Sequence, residues 1–365
     1  MGQTLSTPMQ TCRRSERIEN NAKITSIMKH WKSIYLAAAV SLMALTACNN
    51  DDETLMEVPQ HEIHFTSNLT NLGEGITRAY GNYTTYIAGQ KFWVWADMYD
   101  AGENVTTSYF NAWQLTVSSV TTKFNTNYTK MFPAYNKLSF YTLHGNFSED
   151  LAEDTDEETG TAWPTVLTHT VKTTQVTDAD YQLSDLVYAI NTNVQPTADP
   201  VNLVFQHMMA QVEVALIPGN GLTMAELISE DADTKATVTL LGLKTKVEMR
   251  PDKTAAIDTY DGRELMLSNA SESDDITLQT VPTDDISTAL CGAAVVVPQT
   301  ANGQFICINY LGYDTYVNVT NLKLKSGYRY RFNVTVDRIG GEYSLTPVTV
   351  AQWTDEATKR EAELK

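Results

Sequence analysis

The sequence predicts an all-β protein of the β-sandwich class, and three observations carry that reading. Short runs rich in Val, Thr, Tyr, Phe and Trp recur throughout the chain, punctuated by Gly, Asn, Asp and Pro. Within them apolar and polar residues alternate, as where Val212, Val214 and Leu216 stand against Gln211, Glu213 and Ala215. This is the two-residue period of a strand with one face buried. Helical signals are confined to Thr223–Ser229, with Thr223 as a cap, and to the tail beyond Trp353. With 42% hydrophobic and 19% charged residues the chain is neither disordered nor a coiled coil.

Taken in order, the chain opens with an export pattern. Lys29-His30-Trp31-Lys32 is basic, and Ile34–Ala44 is an apolar run too short for the roughly 20 residues of a membrane span. Leu45-Thr46-Ala47-Cys48 closes it with small residues before a cysteine. This pattern at the end of the leader, 1–47, resembles the bacterial lipobox, which implies cleavage before Cys48 and a diacylglyceryl thioether on it, with palmitate as the expected lipid. Met28 reads as the start. An ordinary signal peptide with an incidental Cys48 is the plainer alternative. Asn49-Asn50-Asp51-Asp52-Glu53 follows, either a surface-export signal or a solvated tether.

Six basic residues against two acidic ones in the leader turn the chain's −18 into −22 after Ala47. Nucleic acid and anionic membrane surfaces demand clustered Lys and Arg, so neither is an expected partner. The 318 residues after the leader suffice for two domains.

Strands are expected at 61–67, 91–97, 113–120, 137–143, 202–216, 237–241, 293–297, 304–310, 328–336 and 344–350. The linker signal Asn191–Pro200, with two prolines and no apolar period, places a boundary at 195/196. The expected division is a tether and propeptide over 48–78, a first domain over 79–195 and a second over 196–365.

Catalytic signatures such as HExxH, GxSxG, the phosphate-binding loop and paired CxxC do not occur, and the chain reads as no enzyme, with no cofactor and no metal. His61 and His64 fall on opposite faces of a strand. His207 reads as a satisfied core histidine. Glu149–Gly160 invites a calcium reading, but counted from Asp154 its glycine is one place late and Thr165 fills the last ligand position, so a solvated loop is expected. Cys291 and Cys307 flank an expected hairpin at Asn302-Gly303. A two-residue turn there puts Cys307 opposite Pro298 and leaves Cys291 about 23 Å away, beyond the ~7 Å limit for a disulfide. Two free, buried thiols are expected, and only a looser turn would join them.

The lipobox, the 61–67 strand, Thr77-Arg78-Ala79, Asp185–Ala189, Val204–His207 leading into Ala210–Leu216, and Leu324–Tyr330 with a late Trp353 form an ordered series. It resembles the fimbrillin family, the type V pilins of the Bacteroides group. The resemblance implies two transthyretin-like Greek-key β-sandwich domains in tandem and delivery to the outer membrane as a surface lipoprotein. It also implies cleavage after an arginine by a trypsin-like protease and polymerisation with other pilin subunits by strand exchange into an adhesive fimbrium. Here the cut falls between Arg78 and Ala79, in a polar stretch loosened by Gly73 and Gly75. Ile63 and Phe65 belong to the strand thereby displaced, and Leu345, Val348 and Val350 are donor-strand positions. The charged extension Thr354–Lys365 leaves stalk and tip roles both open. The alternative is a surface glycan-binding lipoprotein that stacks sugars on Trp93, Trp95, Tyr99, Tyr109, Phe110 and Trp113, although one core face explains Trp93 and Trp95 equally.

Overall fold

The structure, a computed structural model, describes residues 60–67, 88–99, 105–118, 124–227, 236–281, 290–337, 343–345, 349–352 and 362–363. The leader with Cys48, the pair Arg78 and Ala79, and Val348 lie outside the described residues. The fold is mostly β. In chain order the strands are β1 (Phe65–Ser67), β2 (Lys91–Tyr99), β3 (Val105–Val117), β4 (Phe124–Thr126), β5 (Leu138–His144), β6 (Leu167–Thr170) and β7 (Thr174–Gln175). Helix α1 (Asp178–Ser184) precedes β8 (Val187–Val194), β9 (Val201–Leu203), β10 (Gln206–His207) and β11 (Ala210–Pro218). After α2 (Met224–Leu227) come β12 (Thr237–Met249), α3 (Tyr260–Glu264), β13 (Leu267–Val281), β14 (Leu290–Val296), β15 (Gln299–Tyr310), β16 (Tyr313–Leu324) and β17 (Tyr328–Val336). Strands β18 (Tyr343–Leu345), β19 (Thr349–Gln352) and β20 (Ala362–Glu363) end the chain.

Three sheets result. β1 pairs with β9, and a six-stranded sheet runs β10-β8-β5-β2-β3-β4. A twelve-stranded sheet runs β16-β15-β12-β13-β14-β11-β17-β19-β20, with β18 on β17, β6 on β12 and β7 on β13. β9 and β10, beyond the expected 195/196 boundary, pair with β1 and β8.

The six-stranded sheet is buried on both faces. Phe92, Val94 and Ala96 of β2, with Phe140 of β5, enter one core, while Trp95, Tyr141 and Leu143 enter the other, against which Trp93 packs. A strand covered on both sides loses polar alternation, which explains the near-continuous apolar runs of β2 and β5. The second core holds Val212, Val214 and Leu216 of β11 with Phe332 and Val334 of β17.

Several local expectations are corrected. Asn302-Gly303 makes no hairpin: Gly303, at φ 78°, lies inside β15, where the pairing with β16 shifts register. The turn falls at Leu311-Gly312, both at positive φ, with Tyr310 opposite Tyr313. That is the left-handed pair a tight hairpin requires. Asn191–Val194 is not linker but the end of β8. Of the tail beyond Trp353 the structure describes Ala362–Glu363, which form the strand β20. β13 and β16, which the alternation did not reveal, are largely polar strands.

Candidate functional site

The candidate site is the seat of the segment His61–Ser67. Ile63, Phe65 and Ser67 are buried while Glu62 and His64 are exposed, so the alternation read from the sequence is realised. On one side the Ile63 N–H donates to the Lys130 carbonyl (2.8 Å) and the Phe132 N–H to that of His61 (2.7 Å). On the other, β1 runs parallel to β9, with Phe65 opposite Val201 and Ser67 opposite Leu203, and the Val201 N–H donates to the His64 carbonyl (2.8 Å). The segment is thus a strap laid between 130–132 and 201–203. Phe65 is 2% exposed and meets Phe140 edge-on at 5.2 Å and Trp113 at 5.8 Å between ring centroids. Each such side chain contributes about 1.5–3 kcal/mol by burial. The sequence placed the strap but missed its seat: 202–203 read as part of one long strand that left out Val201, and Phe132 carried no signal of its own.

The second element of the site is β17. One side pairs parallel with β11, and the other takes the C-terminal segment antiparallel. Leu345 stands opposite Val334, and Val350 opposite Tyr330. The described pairs nearest each other are Arg331 with Thr349 and Val334 with Leu345, and Pro347 lies outside the described residues. The Tyr330 hydroxyl donates to the Lys323 carbonyl (2.6 Å) and accepts from the Lys325 N–H (2.8 Å), which ties β17 to the turn before it.

That turn explains the Leu324–Tyr330 series. Gly327 sits at φ 70°, and a Cβ there would come within 2.7 Å of the Arg263 guanidinium. Arg263 is 1% exposed and donates to the carbonyls of Ile257 (2.8 Å) and Ser326 (3.1 Å). A buried guanidinium anchoring two loops through backbone oxygens leaves room beside it only for glycine. This role was invisible in the sequence, because Arg263 and Gly327 are far apart in the chain.

The other singled-out residues have structural roles. His207 Nδ1 lies 2.7 Å from the Asp185 carboxylate, both groups buried. The loop 149–160 is not simply solvated. Asp154 is 7% exposed, pairs with Lys130 (2.8 Å) and accepts from the Asn111 N–H (2.9 Å). Gly160 packs so closely that a Cβ would meet the Asn111 carbonyl at 2.2 Å. Cys307 is a free thiol, half-buried rather than buried, between Thr239 and Tyr316, and burial pushes its pKa up. Cys291 stands in β14 opposite Ala215 and Val281. Trp95, Phe110 and Trp113 are buried, so they do not build an exposed sugar-stacking platform. No group of three or more His, Cys, Asp or Glu suited to a metal occurs among the described residues.

With this geometry in place, a profile of fimbrillin-like proteins matches residues 77–353. The chain belongs to the fimbrillin-like family. Among solved structures, it is similar to a candidate cell adhesion protein from Bacteroides uniformis, at 19% identity and a TM-score of 0.51, covering 81% of this chain and 99% of that one. A second candidate cell adhesion protein, from Bacteroides ovatus, gives 15% identity and a TM-score of 0.54, covering 81% and 98%. At such identities these likenesses speak for the fold. A comparison with curated proteins gives no match. In this fimbrillin-like chain the matched region begins one residue before Arg78 and ends one residue after Gln352, the last residue of β19.

Proposed function

We propose that this fimbrillin-like protein is a structural or tip subunit of a surface fimbria that supports adhesion. In this reading it is exported as a lipoprotein on Cys48, cleaved between Arg78 and Ala79 by a trypsin-like protease, and joined to other subunits by strand exchange at the outer membrane. Its folded part is two tandem β-sandwich domains, 79–195 and 196–365. The single observation that supports it most is the strap. Ile63 and Phe65 are sealed in a core that is otherwise built after residue 90, and they reach it through a segment that contains Arg78. Cleavage at Arg78 would detach the strap from that core, leaving the backbone of 130–132 and 201–203 without partners above an aromatic floor. Unpaired edges of that kind recruit a strand, with side chains filling alternate pockets. Leu345, Val348 and Val350 supply such alternation from a neighbour's terminus.

The test is limited trypsin digestion with N-terminal sequencing. A first cut that yields Ala79 as the new terminus, followed by growth of large assemblies, is the expected outcome. Arg78→Ala is expected to stay closed and to form no fibres under the same protease, and truncation before Ser344 to be cut without assembling. Cys48→Ser should lose acyl labelling. Assembled surface fibres that still carry Cys48 would overturn the stalk form of the proposal and leave an anchoring role.

A further inference from the structure

We propose that β16 is the contact strand of a two-fold dimer between copies of this chain, separate from strand exchange at the strap. β16 ends the twelve-stranded sheet. Its inner side pairs with β15 from Tyr313 to Leu324, and no strand among the described residues pairs with its outer side. A twelve-residue edge of open N–H and C=O groups is a template for another strand.

The order of side chains in β16 says which strand fits. Thr315, Val317 and Val319 are the more buried set at its start. Thr320 and Asn321, the latter at φ 51°, then stand against the single residue Asn302, and this extra residue moves the buried set to Leu322 and Leu324. The only charged residues are Asp314 and Lys323, both exposed. A second β16 laid antiparallel, Asn318 against its counterpart, puts Val317 opposite the partner's Val319 and Tyr316 opposite the partner's Thr320. Passing over the extra residue, as the pairing with β15 does, Thr315 meets the partner's Leu322 and Asp314 meets the partner's Lys323. Buried-side residues then meet their like, and an acid faces a base at both ends. Without the bulge Asp314 would face the partner's Leu322 and the charges would miss.

Two further features favour this occupant. The chain after Ala47 carries −22, so two copies repel unless they meet at a neutral surface, and β16 has no net charge. Leu311, Tyr313 and Tyr316 are also exposed, three of the seven large apolar side chains so exposed among the described residues. The two-fold pairing brings the Leu311–Tyr313 tip beside the partner's Leu324 and Lys325. Leu324 and Lys325 line a cavity of about 610 Å³ together with Tyr260, Lys323 and residues of β12, β13 and β15.

Sedimentation of the purified chain across micromolar concentrations tests the proposal. A dimer that dissociates on dilution is expected. Asp314→Lys and Lys323→Asp should each weaken it at least about tenfold, since either places like charges opposite one another twice per dimer. The double reversal should restore it. Lys323→Asp guards against misfolding of Asp314→Lys, whose carboxylate accepts from the Asn309 amide (2.6 Å), and thermal unfolding of every variant checks integrity. Arg78→Ala should leave this dimer intact, which separates it from strand exchange. A monomer at every concentration, a dimer indifferent to both reversals, or a double reversal that fails to restore it would each overturn the proposal.

Discussion

The strap 61–67 and the C-terminal strands 343–345 and 349–352 are both added to sheets that other parts of the chain build, and their ladders differ in length. The strap has a three-residue ladder and a few flanking hydrogen bonds, but it inserts Ile63 and Phe65 into an aromatic core. The C-terminal segment pairs through seven described residues along β17. A strand held by side-chain burial leaves only when it is cut free. A strand held by backbone hydrogen bonds can be exchanged for an equivalent from another chain, because those bonds are independent of sequence.

The largest test of this contrast is Phe65→Ala. Removing a fully packed phenylalanine should cost about 3–5 kcal/mol in a urea titration. A loss near 1 kcal/mol would show that the strap is held by its backbone after all.

Acid should split the two regions. The His169 Nε2 faces the Ser184 carbonyl (2.9 Å), and its Nδ1 accepts from the Asn146 N–H (3.1 Å), so the neutral ring is satisfied and a second proton would lose an acceptor. Burial holds its pKa down at about 4. The unfolded chain therefore takes up the proton first. His169 gives its full stability above pH ~6.5, and up to about 3 kcal/mol is lost between pH 6.5 and 4. His144, which ends β5 and stacks on Phe92 of the strap's core at 4.6 Å, is shifted the same way by burial. Glu213, 3.4 Å from Arg329 beside β17, has the opposite sign. Burial raises its pKa against the pull of Arg329 and Arg331, so its cost is present at neutral pH and fades on acidification. Hydrogen-exchange protection, referred to the intrinsic rate at each pH, should fall from pH 7 to 5 in β2 and β5 before β11 and β17, and an equal fall would remove the distinction.

The smallest effect expected is from Tyr330→Phe, which leaves the Lys323 carbonyl and Lys325 N–H without their shared hydroxyl and should cost about 1–2 kcal/mol. Its value lies in sharpening the contrast. A loss as large as that of Phe65→Ala would mean that β17 also depends on side chains rather than on its ladder.

Much of the fold was legible where burial imposes a pattern. β17 coincides with its expected span because Tyr330, Phe332, Val334 and Val336 alternate against one core. β13 and β16 were not legible. Leu267–Val281 is dominated by Ser, Asn, Asp and Thr, and such a strand is defined by the neighbours that accept its backbone bonds. Helix α1 had a readable start that the strand pattern obscured: the Thr177 hydroxyl accepts from the Asp180 N–H, the usual three-residue cap spacing.

The sequence by itself determined the β class, the alternation that buries Ile63 and Phe65, and the charge balance, because each is read from residues close together in the chain or from their count. Tertiary structure alone decided that Phe132 and Val201–Leu203 seat the strap, that Arg263 demands a glycine at 327, and that Asn302-Gly303 is a bulge rather than a turn. Those outcomes depend on which backbone lies across a sheet or against a buried side chain. Hydrogen-bond partners far apart in sequence leave no periodic trace in either partner, so only the folded chain specifies them.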